Sequence, residues 1–188
     1  MSPRTAGQAG PPRAPAQGVV EVGVLVLVPE PLAGRVRDLR AQVRDPRGAV
    51  IPPHVTLVPP TRIGVRVLDD VVEHLREVAS ARAPFDLRLR GTRTFQPVTD
   101  VVYLAVAGGG SHCDRLQSAL RQGPLAVDLR FPYHPHVTLA HDVPEACLDH
   151  ARASMADVDE TFRVTEFVLF AHAPEAPWEV VRTFTLDG

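Results

Sequence analysis

The sequence contains no lysine; all 20 basic residues are arginine. Chemistry that needs a lysine amine is thereby excluded: Schiff bases, a P-loop phosphate lysine, and the lysyl-nucleotidyl intermediate of ATP-dependent ligases. Cysteine is nearly absent too. Cys113 and Cys147 have neither metal-ligand nor redox-motif spacing and fall at core-compatible positions of helical segments, as buried thiols of a reducing compartment do. No apolar run approaches the roughly 18 residues of a membrane span. The N-terminus has no apolar stretch followed by a cleavage site, so a soluble cytoplasmic protein without a membrane partner is expected. Net charge is small as well. At −2 there is no basic field for coating DNA, and a nucleic-acid partner would have to be met by a local arginine cluster.

What is present suffices for one globular domain or two small lobes: 188 residues, 45% hydrophobic and 22% charged. Residues 1–18 are rich in proline, alanine and glycine and read as a disordered tail. From Val19, VVEVGVLVLV has the continuous β-branched pattern of a central strand covered on both faces. Leu32, Val36, Leu39 and Val43 predict a helix closed by Pro46-Arg47-Gly48. IPPHVTLVPP is a short strand fenced by prolines, Leu68, Val71, Val72, Leu75 and Val78 mark a second helix, and Phe85, Leu87 and Leu89 a half-buried strand. A second series starts with the strand VVYLAVA at 101–107. A helix follows, capped by Ser111 with Asp114 and buried through Cys113, Leu116 and Leu120; then come an HVTL strand and a helix opened by Asp142 and Glu145. Leu148, Ala151 and Met155 carry that helix, and two closing strands surround RVTEFVLF and WEVVRTFTL.

The two series are related. His54-Val55-Thr56-Leu57 and His136-Val137-Thr138-Leu139 are one tetrapeptide 82 positions apart, and Val19-Val20 meets Val101-Val102 at the same offset. Two halves of β-α-β-α-β form are expected, roughly 19–98 and 99–188, whose sheets join or face each other across an approximate two-fold axis with a ligand cleft between.

A strand alternates its faces, so Val55, Leu57, Val137 and Leu139 point to the core, leaving His54, Thr56, His136 and Thr138 to converge on the cleft. Opening a cyclic phosphodiester takes a proton from the entering water and gives one to the departing sugar oxygen on the opposite side of phosphorus. Two imidazoles supply both functions near neutral pH, and two hydroxyls donate to the non-bridging oxygens, with no metal or cofactor. Eight histidines and eleven threonines yield about half of one H-x-T match by chance. Two matching tetrads, each preceded by proline, at the period of an independent strand repeat are therefore a specific signal.

PPHVTL and HPHVTLAH resemble the paired H-x-T/S-hydrophobic motifs of the 2H phosphoesterase superfamily, the group of 2′-5′ RNA ligase-like proteins and RNA 2′,3′-cyclic phosphodiesterases. The resemblance runs from Val19 to Gly188. It implies a bilobal α+β fold in which antiparallel-rich sheets form a concave central cleft with helices outside. It also implies metal-independent opening of cyclic phosphates and, in some members, the reverse joining of RNA ends. His54 and His136 become the acid/base pair, His54 leaning to acid and His136 to base, and Thr56 and Thr138 the phosphate-holding hydroxyls. One departure stands out: members acting on RNA ends often read H-x-T-L-A-R, whereas here His141 occupies the arginine's place, on the opposite strand parity from His136.

Other signals are weaker. Phe95, Tyr133 and His141 are candidate substrate contacts, the two aromatics against ordinary core or rim packing. His134, His136 and His141 make a poor metal set beside Pro135, and Thr138 takes the place of the third histidine of a histidine-triad pattern. Arg88, Arg90 and Arg93 read as a solvated strand face rather than a phosphate track, Gly108-Gly109-Gly110 as a loop, and His74, His112, His150 and His172 as surface residues. The expected partner is an RNA 3′ end or a small cyclic nucleotide bound by a monomer. A non-catalytic RNA-end or nucleotide-binding module is the alternative.

Overall fold

The computed structural model describes residues 18–46, 48, 50–172 and 178–188, so the tail predicted over 1–18 lies outside the described residues except for Gly18. The β-branched run forms β1 (Val19–Leu27), followed by α1 (Leu32–Gln42), β2 (His54–Gly64), α2 (Leu68–Ser80) and β3 (Phe85–Thr94). The second series gives β4 (Val101–Gly108), α3 (Gly110–Leu120), β5 (His136–His141), α4 (Glu145–Ser154), β6 (Asp159–Val164), β7 (Glu166–His172) and β8 (Glu179–Thr185). The strands make two four-stranded antiparallel sheets, ordered β2-β1-β7-β8 and β5-β4-β3-β6.

The two orders are the same if β1 is equated with β4, β2 with β5, β7 with β3 and β8 with β6. β3 of the first half and its counterpart β7 of the second do not stay at home, however. β3 crosses to lie between β4 and β6, and β7 returns to lie between β1 and β8. The 82-residue offset extends to this exchanged pair, matching Phe85 and Leu87 of β3 with Phe167 and Leu169 of β7, all buried. Each sheet therefore contains a strand from either half, and neither sheet can be completed by one half alone.

Helices and sheets share one core. Val22, Val24 and Val26 of β1 pack with Val36 and Leu39 of α1 and Val71 and Leu75 of α2. Leu25 points the other way, into a smaller cluster with Val168 and Phe170, which is why β1 reads as apolar throughout. α1 and α3 each reach the opposite half, packing against β5 and β2 respectively.

Four local expectations are corrected. Pro59 and Pro60 do not end the strand: β2 runs through them to Gly64, since it is an edge strand and the two prolines sit at a register irregularity facing Gly23, where no ladder donor is needed. Ser111 does not cap α3; Gly109 is its N-cap with no side-chain bond. Asp142 does not open α4, whose N-cap is Pro144; Asp142 has a φ of 54°. RVTEFVLF divides at Thr165 into β6 and β7, giving three closing strands where two were expected, because β6 is an edge strand with little apolar pattern.

At the β4–α3 junction Gly109 has a φ of +80°, and a Cβ there would lie 2.3 Å from the Asp86 carbonyl oxygen. Gly109→Ala should lower the unfolding free energy in urea by at least about 2 kcal/mol. Gly64→Ala is the control. Nothing lies within 4 Å of its added Cβ, and it should change stability by less than about 1 kcal/mol.

Candidate active site

β2 and β5 are edge strands of different sheets, and they pack against one another. In both, the motif alternates as strand geometry requires: Val55, Leu57, Val137 and Leu139 are fully buried, while His54, Thr56, His136 and Thr138 are half-buried on the other face. The proline-flanked approach fixes each ring. His54 Nδ1 lies 2.7 Å from the Pro52 carbonyl oxygen, and His136 Nδ1 lies 2.7 Å from that of His134, two residues upstream in both cases. A carbonyl only accepts, so each Nδ1 carries the hydrogen, leaving Nε2 as the atom that exchanges a proton.

Both motifs end in the same bulge. Leu25 pairs with Thr56 but Val24 with Val58; Tyr103 pairs with Thr138 but Val102 with Ala140. Leu57-Val58 and Leu139-Ala140 are consecutive buried residues, so the next position, Pro59 or His141, returns to the histidine face. This overturns the parity expected for His141, since strict alternation fails at the bulge. His141 Nε2 contacts Asp142 Oδ2 at 3.2 Å and lies outside the cavity lining.

That cavity has a volume of about 630 Å³ and is walled mostly by apolar groups. Thr56, Pro59 and His136 form one side; the turn at Phe95–Thr99 and the segment Val127–His134 form the rest. Phe95 and Tyr133, the candidate substrate contacts, line it, whereas His54 and Thr138 are not part of its lining. Phe95 stacks on Tyr103 with ring centroids 4.3 Å apart, and both rings meet His136 at steep angles with centroids 5.0 and 5.2 Å away. Tyr103 escaped the sequence reading because its position in VVYLAVA is that of an ordinary core residue.

Arg40 was missed for a similar reason. It occupies a core position of α1, beside Leu39, and is 4% exposed. Its Nη2 and Nε donate to the Thr138 carbonyl at 2.6 and 3.2 Å, and Nη1 donates to the Ile51 carbonyl at 3.2 Å. In the opposite direction, the Tyr133 hydroxyl donates to the Thr56 carbonyl at 3.0 Å.

Burial, opposed by the Pro52 carbonyl and reinforced by the charges of Arg40 and His136, pushes the His54 imidazole down to about 4. Burial also lowers His136, with His134 adding to it and the His134 carbonyl opposing. Both rings are thus neutral in the free protein at pH 7. Cys113 is pushed up to about 12 by burial, which makes it an inert packing thiol, while Cys147 is half-buried.

The remaining candidates separate from this site. Arg88 forms a two-pronged ion pair with Asp159, both contacts at 2.6 Å, and Arg90 approaches the same carboxylate, so these arginines serve the β3–β6 face. His74 contacts the Leu120 carbonyl, His112 stacks on Phe85, His150 meets Gln42 and His172 stacks on Trp178; all four have partners that the sequence did not reveal. Among the described residues no three His, Cys, Asp or Glu side chains converge as a metal site, and no helix is long and apolar enough to cross a membrane.

The chain resembles proteins of known sequence and structure. A curated protein of Oceanobacillus iheyensis named "Putative phosphoesterase" is 29% identical over 121 residues, covering 63% of this chain and 71% of its own. One of the same name from Bacillus pumilus is 31% identical over 121 residues, 62% of this chain and 69% of its own. Escherichia coli LigT, solved as a complex with 3′-AMP, superimposes with a TM-score of 0.63 at 18% identity, over 90% of this chain and 99% of LigT. TT0787 of Thermus thermophilus gives a TM-score of 0.62 at 24% identity, over 89% of this chain and 98% of its own. These two establish a common fold. Residues 28–175 match the family model of the 2′-5′ RNA ligase superfamily, and with its two H-x-T strands in this fold the chain belongs to that superfamily, a group of 2H phosphoesterases.

Proposed function

We propose that the protein is a phosphoesterase that opens a 2′,3′-cyclic phosphate, carried on an RNA 3′ end or a mononucleotide, by acid/base catalysis between His54 and His136. The observation that carries this reading is the identical clamp on the two imidazoles: each Nδ1–H is held by a carbonyl two residues upstream, on equivalent edge strands that pack against one another. The named relatives support phosphoesterase chemistry, and the 3′-AMP bound by LigT supports a nucleotide-sized ligand.

In the opening reaction, water attacks phosphorus as its proton passes to a neutral Nε2. The P–O bond to one ribose oxygen breaks, and that oxygen takes a proton from the other ring, which enters the step as imidazolium. An anionic phosphate between the rings opposes their depressed basicity and so recruits that proton on binding. Arg40 disfavours a second positive charge on His54. The imidazolium is therefore assigned to His136 as the acid and neutral His54 to the base, opposite to the order first expected. Thr56 and Thr138 donate to the non-bridging oxygens, where charge accumulates. The apolar cavity beside His136 receives the nucleoside. With a ribose 5′-hydroxyl in place of water, the reverse reaction joins two RNA ends.

His54→Ala and His136→Ala should each lower turnover of a nucleoside 2′,3′-cyclic phosphate by about 10²–10⁴ with the circular dichroism spectrum retained. Wild-type activity should survive EDTA. Full activity in either variant would sink the mechanism, and cyclic phosphate binding without turnover in wild type would favour a binding module. A nucleoside 3′-(p-nitrophenyl phosphate) assigns the roles. Its leaving group needs no acid, and the ribose 2′-hydroxyl that displaces it gives its proton to the ring that returns one to the ribose oxygen in ring opening, so His54→Ala should retain far more of its activity on this ester than His136→Ala; the reverse ranking would exchange the assignment.

Stability should also report on His54. A histidine whose folded value lies below its unfolded 6.5 contributes stability fully present above pH 6.5, lost as pH falls towards about 4. That loss is on the order of 3 kcal/mol. Urea unfolding of His54→Gln should show a correspondingly shallower decline across this window than wild type.

A further inference from the structure

Arg40 is a buried cation that exchanges no proton in the steps above yet bears on which ring holds one. A buried guanidinium is costly unless its donors are used. Here its three hydrogen bonds go to main-chain carbonyls of the two motif strands or their approaches, and the buried carboxylate of Asp45 acts on its charge. Ile51 is three residues before His54, and Thr138 is two after His136, so one planar group spans both motifs. The loop closes over its stem: a Cβ on Gly48 would fall 2.7 Å from the Arg40 Cβ.

The second half lacks the counterpart. Leu116, Gln117 and Leu120 of α3 repeat the spacing of Leu39, Arg40 and Val43, but Gln117 is neutral and bonds within its own helix, to Ser118 and Arg121. Thr56 is served by Tyr133 instead. Each motif threonine thus has its carbonyl held by a side chain from the opposite half. β2 and β5 are edge strands, whose outward carbonyls have no further strand to bond, and the two donors substitute for it.

We propose that Arg40 is a positioning residue for the two-histidine centre: it fixes the spacing of the two H-x-T strands and keeps a positive charge beside His54, with Tyr133 as the reciprocal tie. The proposal rests on the acid/base reading above. The charged groups acting on His54 are Arg40 from α1 and His136 from β5; the Asp45 carboxylate acts on Arg40, and His134 acts on His136. Lysine cannot replace Arg40, because one ammonium cannot reproduce a fork that reaches two carbonyls at fixed angles.

The test compares R40K, R40M and Y133F with wild type by cyclic phosphate turnover and by ring-nitrogen NMR titration of His54. R40K should lower kcat about tenfold and R40M about 100-fold, with KM within about threefold, as for a displaced but intact site. R40M should also raise the His54 titration above about 4 by the part that the Arg40 charge contributes, burial still holding it below 6.5, whereas R40K and Y133F leave it in place. Y133F should lower kcat by breaking the opposite tie without removing charge. A merely structural Arg40 would reduce the Tm of R40M yet leave the kcat and His54 titration of the folded protein unchanged, and that result overturns the proposal. If R40M does not fold, wild-type kcat in both R40K and Y133F overturns it equally. Should wild type open no cyclic phosphate, the acid/base reading fails by itself. The NMR titration then decides alone: an upward shift confined to R40M sustains the role of Arg40 and an unmoved one removes it.

Discussion

Two strand edges must meet without a ladder of main-chain bonds between them, and the rest of the site depends on how that is managed. β2 and β5 end their sheets, so their outward carbonyls would be buried without partners where the sheets pack together. Arg40 and Tyr133 answer this from opposite halves, each donating to the main chain of a motif threonine. Two bonds of this kind tie the edges together while leaving the side chains of His54, Thr56, His136 and Thr138 half-buried on the face opposite the core. A continuous sheet across the junction would have closed the cleft.

The same closeness governs the electrostatics. Packing the halves together withdraws water from both imidazoles, and the cation that ties the strands also lies beside His54. In the proposed reaction binding and protonation are therefore coupled: an anion between the rings would relieve a disfavoured charge, whereas water alone would not. The carbonyl clamps on Nδ1 complete the arrangement by giving both rings one tautomer.

Much of this was legible in the sequence because it follows from short-range rules. Strand alternation placed Val55, Leu57, Val137 and Leu139 in the core correctly, and the spacing of Leu32, Val36 and Leu39 located α1. The rules failed where tertiary packing competes with local pattern. Pro59-Pro60 is a strand terminator locally, yet an edge position beside a bulge tolerates it. The corresponding bulge of β5 also reversed the face predicted for His141. Arg40 and Tyr103 carried no signal, since an arginine on a helix and a tyrosine in an apolar strand are ordinary until their neighbours are known.

The sequence by itself determined the duplication, the pairing of two histidines with two threonines, and the exclusion of lysine chemistry, because repetition, periodicity and composition are properties of a chain read in one dimension. Only the tertiary structure decided that β3 and β7 each join the sheet of the other half, that a buried arginine joins the two motifs, and that burial lowers the basicity of both imidazoles. Each of these depends on contacts between residues far apart in the chain, 98 positions for Arg40 and Thr138 and 77 for Tyr133 and Thr56. No local pattern encodes such distances; burial and hydrogen-bond satisfaction in the packed molecule do.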